Sequence, residues 1–404
     1  MNLYSLLTEL QCNIFRRCDT REIRRICKKF NTLIINKFDF KIGNSNISDC
    51  TLREINKNLN IVGLEWRDKK AITDITHLTN LTKLNLRFSN VAHINKLTNL
   101  TKLNLSYNQH ISNINDLTNL TKLHISYNNY IRRDNDISNL TNLTDLHIFD
   151  NPEFSDFNNF INLKKLTLID VVHDIKIDKL TNLEALYIRS GICGKYINNL
   201  TNLTKLSIRN NDYIQSNNDI SNLTKLTELT IMGKSSSFDF NNFTNLKRLA
   251  LMGIKCNVKI NNLTNLETLY ISSGSCGKHI NNLTNLTDLG LSKCSGINSI
   301  SNLTNLTKLD FRDNNNINNI NNLTNIKGLS LSKNCDVSNL KNLRAISCHG
   351  DITLKIHKSI NMKKWSVVRG YRNIMFNNMD DYNEFTIGGV SEWIAEQSDF
   401  YLLK

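Results

Sequence analysis

Phe88, Tyr107 and Tyr127 recur at intervals of 19 and 20 residues, and Lys83, Arg87, Lys102, Lys122, His124 and His147 accompany them at matching positions. Further along, Tyr187, Arg189, Arg209 and Tyr270 occupy comparable places. Aromatic anchors beside guanidinium and ammonium groups suit a protein ligand. A nucleic-acid groove mixes the same residue types, and a solvated polar face is the third reading. His124 and His147 lack nearby cysteines or paired carboxylates, so no metal centre is expected. The chain contains no nucleophile elbow, no Walker-type phosphate loop and no H-E-x-x-H. The chemistry these residues offer is recognition. Neither catalysis nor a cofactor is expected.

A second cluster lies at the N-terminus, in residues 5–34, "SLLTELQCNIFRRCDTREIRRICKKFNTLI". Leu6, Leu7, Leu10 and Ile14 mark a short amphipathic helix, and Phe15 follows them. Asp19 with Glu22 resembles a capping box that opens a second helix. Ile23, Ile26, Cys27, Phe30, Leu33 and Ile34 then keep a helical apolar stripe. Arg16, Arg17, Arg21, Arg24, Arg25, Lys28 and Lys29 lie on or beside it. Such cations suit either the solvated side of docking helices or contacts to phosphates.

The recurring recognition residues are positioned by a repeat. Units open at Leu78, Leu97, Leu117, Leu140, Phe160, Leu180, Leu200, Leu223, Phe243, Leu263, Leu283, Leu303, Leu323 and Leu340, mostly 20 residues apart. A degenerate earlier unit shows in Ile61, Leu64 and Trp66. The shared template is L-T-N-L-x-x-L-x-L. Apolar residues two apart mark a short strand with one buried face. Apolar residues three apart suit a tight turn. Twenty residues cannot hold a strand, a full helix and two loops, so the return must be irregular or 3₁₀. Asn108, Asn128, Asn151, Asn211, Asn314 and Asn334 follow the strand and are expected to bond backbone groups as the chain turns. Val171, Gly191, Lys234 and Gly274 replace that Asn in other units, where less regular turns are expected. A single unit cannot bury enough surface to fold, so its neighbours must complete it.

A longer period is superimposed on the short one. Residues 117–199 align without a gap to 200–282, with 50 identities, which reads as a tandem duplication. The 404 residues carry 50 Lys+Arg against 36 Asp+Glu, a net charge of +14 that admits an acidic partner. The 66 Asn residues and single proline, Pro152, fit an AT-rich coding bias. The ten cysteines form no C-x-x-C pair and are expected to be reduced. Sequons such as Asn99-Leu-Thr101 are then expected to stay unmodified. No run approaches a membrane span and no leader is evident, so a cytoplasmic location and no membrane partner are expected.

The template L-x-x-L-x-L-x-x-N resembles the leucine-rich repeat, and "NLTKLNLSYN" at 99–108 with its surroundings resembles its internalin-type subclass, in units two residues shorter and without its proline. This resemblance implies an α/β solenoid over 61–350, of about 14–15 units, with a parallel β-sheet on the concave face and short irregular or 3₁₀ returns. It also implies protein recognition on that face. Residues 1–36 are similar to an F-box: Leu6-Leu7-Thr8-Glu9-Leu10, Ile14-Phe15, Asp19, and Cys27-Lys28-Lys29-Phe30-Asn31-Thr32-Leu33-Ile34. Leu7 stands where that family has proline, and the stretch from Asp19 to Cys27 is about three residues short. The combination resembles substrate receptors of cullin-based ubiquitin ligases. It implies a Skp-type adaptor on Leu6, Leu7, Leu10, Ile14, Phe15, Ile23, Ile26 and Phe30, and a protein substrate on the repeats. Alternatives are a plain repeat-based scaffold and a basic nucleic-acid-binding repeat protein. The composition is similar to proteins of amoeba-infecting giant viruses, which implies the host cytoplasm. Residues 37–60 read as a connection and 351–404 as a cap or small module.

Overall fold

The computed structural model describes the strand Phe38–Ile42, Asp49, Leu52, Arg53, Asn56, the strand Ile61–Trp66, most of 73–348, and four strands beyond it. The chain divides into two compact units, Met1–Asn202 and Leu203–Lys404.

In the first unit, β1 (Phe38–Ile42), β2 (Ile61–Trp66), β3 (Lys83–Asn85), β4 (Lys102–Asn104), β5 (Lys122–Ser126), β6 (Asp145–Phe149), β7 (Lys165–Ile169) and β8 (Ala185–Arg189) pair in succession, every pair parallel. The register sets Leu84, Leu103, Leu123, Leu146, Leu166 and Leu186 in one row, each at most 3% exposed. The period-2 pattern of each template therefore becomes one buried column and two outward columns.

In the second unit, β9 (Lys205–Arg209) and β10 (Glu228–Met232) are followed by the two-residue β11 (Phe238–Asp239), β12 (Arg248–Met252), β13 (Val258–Lys259), β14 (Thr268–Ser272), β15 (Asp288–Ser292), β16 (Lys308–Asp310) and β17 (Gly328–Leu331). Next come β18 (Cys335–Asp336), β19 (Ala345–Cys348), β20 (Ile352–His357), β21 (Ser366–Val367), β22 (Met375–Met379) and β23 (Tyr382–Ile387). The strands β9, β10, β12, β14, β15, β16, β17, β19 and β21 form a parallel series in that order. On the return side β11 pairs with β13, and β18 begins a mixed sheet with β20, β23 and β22.

Each strand is reached through tight turns. Leu78 N–H donates to Ile75 O at 2.9 Å and Leu81 N–H to Leu78 O at 3.0 Å, and the pattern recurs at each unit start. Residues Ile197–Asn199 and Gly277–Asn282 close into short 3₁₀ turns. Phenylalanine replaces the opening leucine at Phe160 and Phe243, where it packs on Phe157 at 6.3 Å and on Phe240 at 6.1 Å. All four are buried, adding apolar area where the duplicated blocks substitute the larger residue.

The two polar letters of L-T-N-L-T are structural. Asn99, Asn119 and Asn142 each donate from Nδ2 to the preceding unit's Thr79, Thr98 or Thr118 carbonyl at 2.9 Å. The second threonine does the same from its hydroxyl: Thr101 to Thr82 O at 3.0 Å, Thr121 to Thr101 O and Thr144 to Thr121 O at 3.1 Å. These columns satisfy backbone acceptors that a tight return leaves exposed between coils. The post-strand asparagine forms a third, buried column. Asn108 donates to Val91 O at 3.0 Å and accepts from the Ile111 N–H at 3.0 Å. Asn128 accepts from Ile131 N–H and Asn314 from Cys294 N–H. Asn151, Asn211 and Asn334 lie outside the described residues.

Two regions carry more strand than the sequence suggests. The connection 37–60 contains β1, which extends the first unit's sheet by one parallel strand. Beyond 350, β21 lengthens the second unit's parallel series, and β20 with β23 and β22 builds onto β18. These segments lack the leucine spacing, so only their pairing with a preformed edge marks them as strands.

Candidate functional site

Among the described residues of the first unit, an open groove of about 370 Å³ runs across β2 to β6 and is lined wholly by strand residues. One edge carries the first outward column: Lys83, Lys102 and Lys122 lie directly opposite one another, followed by Asp145. The floor carries the second: Asn85, Asn104, His124 and His147. Adjacent like charges on a sheet are unfavourable. At the end of the column Lys122 Nζ reaches Asp145 Oδ2 at 3.1 Å, and Glu65 of β2 also lines the groove. Elsewhere signs alternate: in the second unit Lys205 lies 2.7 Å from Glu228, and Lys308 3.5 Å from Asp288.

The floor is aromatic where the two imidazoles meet. His124 stacks on His147 at 5.5 Å between centroids and on Phe149 at 5.2 Å. His147 Nε2 lies 2.9 Å from Asp145 Oδ1, and a carboxylate can only accept, so this nitrogen carries the proton. That hydrogen bond, with Lys122 behind it, holds Asp145 down at about 2. Burial, reinforced by His147 and Arg87, lowers His124 to about 4.

Past the C-terminal ends of β3, β4 and β5 runs an aromatic ladder. Phe88 and Tyr107 stack at 4.6 Å and Tyr107 and Tyr127 at 4.7 Å, with interplanar angles of 22° and 18°. The separations equal the spacing of adjacent strands, so the ladder is a direct product of the repeat period. The Arg87 guanidinium lies 4.9 Å from the Phe88 centroid and 5.7 Å from that of Tyr107, a cation–π arrangement. Tyr107 and Tyr127 are 37% and 42% exposed, and Tyr130 beside them 57%.

All three ladder residues adopt left-handed backbone, with φ of 63°, 57° and 49°. This conformation turns each N–H onto the next strand: Phe88 donates to Ser106 O at 3.1 Å, Tyr107 to Ser126 O at 2.7 Å and Tyr127 to Phe149 O at 3.2 Å. Later coils make the same turn with Asp150, Asp170, Asn210, Gly253 and Ser273, and Lys293 is left-handed too. Aspartate, asparagine and glycine tolerate this geometry far better than a bulky aromatic does.

The remaining residues expected at a site fall elsewhere. Tyr187 and Arg189 belong to β8, where Arg189 pairs with Asp170 at 2.8 Å. In the second unit Arg209 ends β9, and Tyr270 lies flat over Gly290 with its hydroxyl 3.4 Å from Asp288. Leu6, Leu7, Leu10, Ile14, Phe15, Ile23, Ile26 and Phe30 lie outside the described residues. Phe149 went unnoticed in the sequence because it takes an outward position that other strands fill with serine or arginine. No group of three or more metal-binding side chains occurs among the described residues.

The architecture is the leucine-rich-repeat fold, a parallel-strand solenoid. It is similar to a leucine-rich-repeat protein of Leptospira interrogans, with a TM-score of 0.57 at 20% identity over 86% of this chain and 95% of that one. It is also similar to the functional domain of InlJ from Listeria monocytogenes, which includes a cysteine ladder, with a TM-score of 0.51 at 19% identity over 80% and 70%. No protein-family model and no curated protein sequence matches the chain.

Proposed function

We propose that this chain is a non-catalytic recognition protein whose repeats hold a protein partner on the outward face of the sheet. The observation that carries this reading is the open face of the first unit, where exposed rings and adjacent cations stand together beside a groove lined only by strands. Tyrosine and arginine in such a setting are the residue types that anchor protein interfaces. The finer reading makes the chain a cytoplasmic substrate receptor of a cullin-based ubiquitin ligase. Support for it comes from the F-box-like residues of 5–34, joined to a repeat array. There Leu6, Leu7, Leu10, Ile14, Phe15, Ile23, Ile26 and Phe30 dock a Skp-type adaptor.

The test is affinity capture from eukaryotic cytosol with the wild-type chain and with Leu10→Asp and Ile14→Asp, each checked for intact repeats by circular dichroism. Adaptor and cullin recovered by the wild type alone support the ligase reading. Their absence from the wild-type capture removes it and leaves a repeat-based binding protein. The broader reading fails if no protein is retained by the repeats at all.

A further inference from the structure

We propose that the groove of the first unit binds an extended acidic polypeptide segment, held by Lys102 in the groove and by Arg87 with the aromatic ladder past the strand ends. This rests on the protein-recognition reading and names the chemistry of its partner.

Charge is the first argument. Lys102 lies opposite Lys83 and Lys122, and among the described residues neither Lys102 nor Arg87 forms an ion pair. Lysines elsewhere in this position have an acid opposite, whereas Lys102 has a lysine on either side, a place that an anionic ligand favours. The ladder adds to it. Its rings stack face to face, which leaves their edges outward, and ring edges carry the positive end of the quadrupole. Carboxylates therefore meet a favourable field along the ladder as well as at Arg87.

Strain is the second, independent argument. Three consecutive aromatic residues in left-handed geometry cost about 1–2 kcal/mol each relative to the usual backbone. Asp150 and Asp170 show that the coil closes with cheaper residues. Such outliers persist where surrounding structure or function requires them. Stacking offsets part of the cost, yet Tyr107 and Tyr127 stay exposed.

Stacking also decides the class of ligand. Single-stranded nucleic acid binds aromatic platforms through ring faces. Here Tyr107 has both faces covered by its neighbours, and Arg87 lies over Phe88. Nucleobases find no open platform inside the ladder, whereas side chains of a peptide reach the edges. Lys102 lies opposite Lys83, four strand positions before Arg87, so the two stand about 13 Å apart when projected on one strand. An extended peptide, whose successive side chains point to opposite sides, spans that gap with acids directed to both residues.

The experiment measures fluorescence anisotropy of a labelled twelve-residue Glu-Ser repeat peptide with the full chain in about 0.1 M salt. Parallel arms use a Lys-Ser peptide and a labelled twelve-nucleotide oligothymidylate. The expected result is binding of the acidic peptide, weakened about tenfold by Arg87→Ala or Lys102→Ala. Tyr107→Asn keeps a left-handed-tolerant residue and is expected to weaken it as well, with the repeats still folded. Lys341→Ala, an exposed charge in the second unit, controls for net charge and is expected to change affinity less than about twofold. Equal losses from Lys341→Ala and Arg87→Ala would overturn the proposal, as would absence of acidic-peptide binding or tighter binding of the oligonucleotide. A protein partner captured by the repeats and insensitive to Arg87→Ala overturns this inference alone and leaves the recognition reading in place.

Discussion

The two asparagine columns should differ sharply in what they contribute, and Asn108→Ala against Asn119→Ala measures it. Asn108 is fully buried. Its Nδ2 donates to Ser89 O at 3.1 Å and Val91 O at 3.0 Å, and its Oδ1 accepts from His110 N–H at 2.9 Å and Ile111 N–H at 3.0 Å. Its Nδ2 also lies 3.1 Å from Ser89 Oγ, so its two amide hydrogens are shared among three acceptors; alanine removes these bonds and strands buried backbone groups. At about 1 kcal/mol for each net hydrogen bond, the loss is about 4 kcal/mol. Asn119 donates from Nδ2 to Thr98 O at 2.9 Å and is exposed. Water replaces that bond, so Asn119→Ala should cost below about 1 kcal/mol. Asn108→Asp keeps the acceptor and loses the donors, so it should fall between. Urea unfolding followed by circular dichroism gives the total, and hydrogen exchange at 108–111 shows whether the loosening is local, as expected where repeats touch only their neighbours. Equal costs for Asn108→Ala and Asn119→Ala would refute the distinction between a buried scaffold column and a surface one.

A Cβ at position 290 would lie 2.2 Å from Tyr270 Cδ1, so Gly290→Ala should cost about 1–3 kcal/mol by overpacking. In a Tyr270→Ala background the cost should nearly vanish, and an unchanged cost there excludes the ring as its cause. His124, lowered to about 4, takes up its proton in the unfolded chain before it does in the folded one. Stability should therefore fall as pH drops from about 6.5 toward 4, by up to about 3 kcal/mol, and His124→Gln should flatten that part of the profile. Asp145, held at about 2, acts in the lower window: its contribution is present above about pH 4 and is lost as pH falls through 2. A His124→Gln profile identical to wild type between pH 6.5 and 4 would contradict the assignment. The exposed Arg189–Asp170 pair should matter little, with Arg189→Ala within about 0.5 kcal/mol of wild type in urea titration.

The strands were legible because their signal is periodic. Leu84 and Leu103 occupy buried positions that recur with the unit, and each copy repeats the same message. The strand β1 was not legible, because "FDFKI" has no copy to align with and forms by pairing with the edge that β2 presents. The same holds for β20 to β23. Composition misled in one respect. Abundant asparagine invites an explanation from coding bias, yet Asn99, Asn119 and Asn142 each make a bond between coils. A biased supply of codons and a structural role are compatible, since a short coil has many backbone acceptors and asparagine is a small donor that reaches them.

The candidate site was half legible for a related reason. Reading Phe88, Tyr107 and Tyr127 in consecutive units places them in one column, and the structure turns that column into a stack. What no single sequence position reveals is the conformation. The same turn is made by Asp150 and Asp170 one and two coils later, so the fold does not ask for aromatics there. Nor does it ask for three lysines in register, since Glu228 between Lys205 and Arg248 shows how the column balances itself. A repeat array averages its requirements over many copies, and departures from that average separate what the solenoid needs from what one part of it does. In the first unit two departures fall on neighbouring strands: strained aromatics beside Arg87, and Lys102 with a lysine on either side. Their coincidence, more than either feature alone, is what supports the proposed acidic partner there.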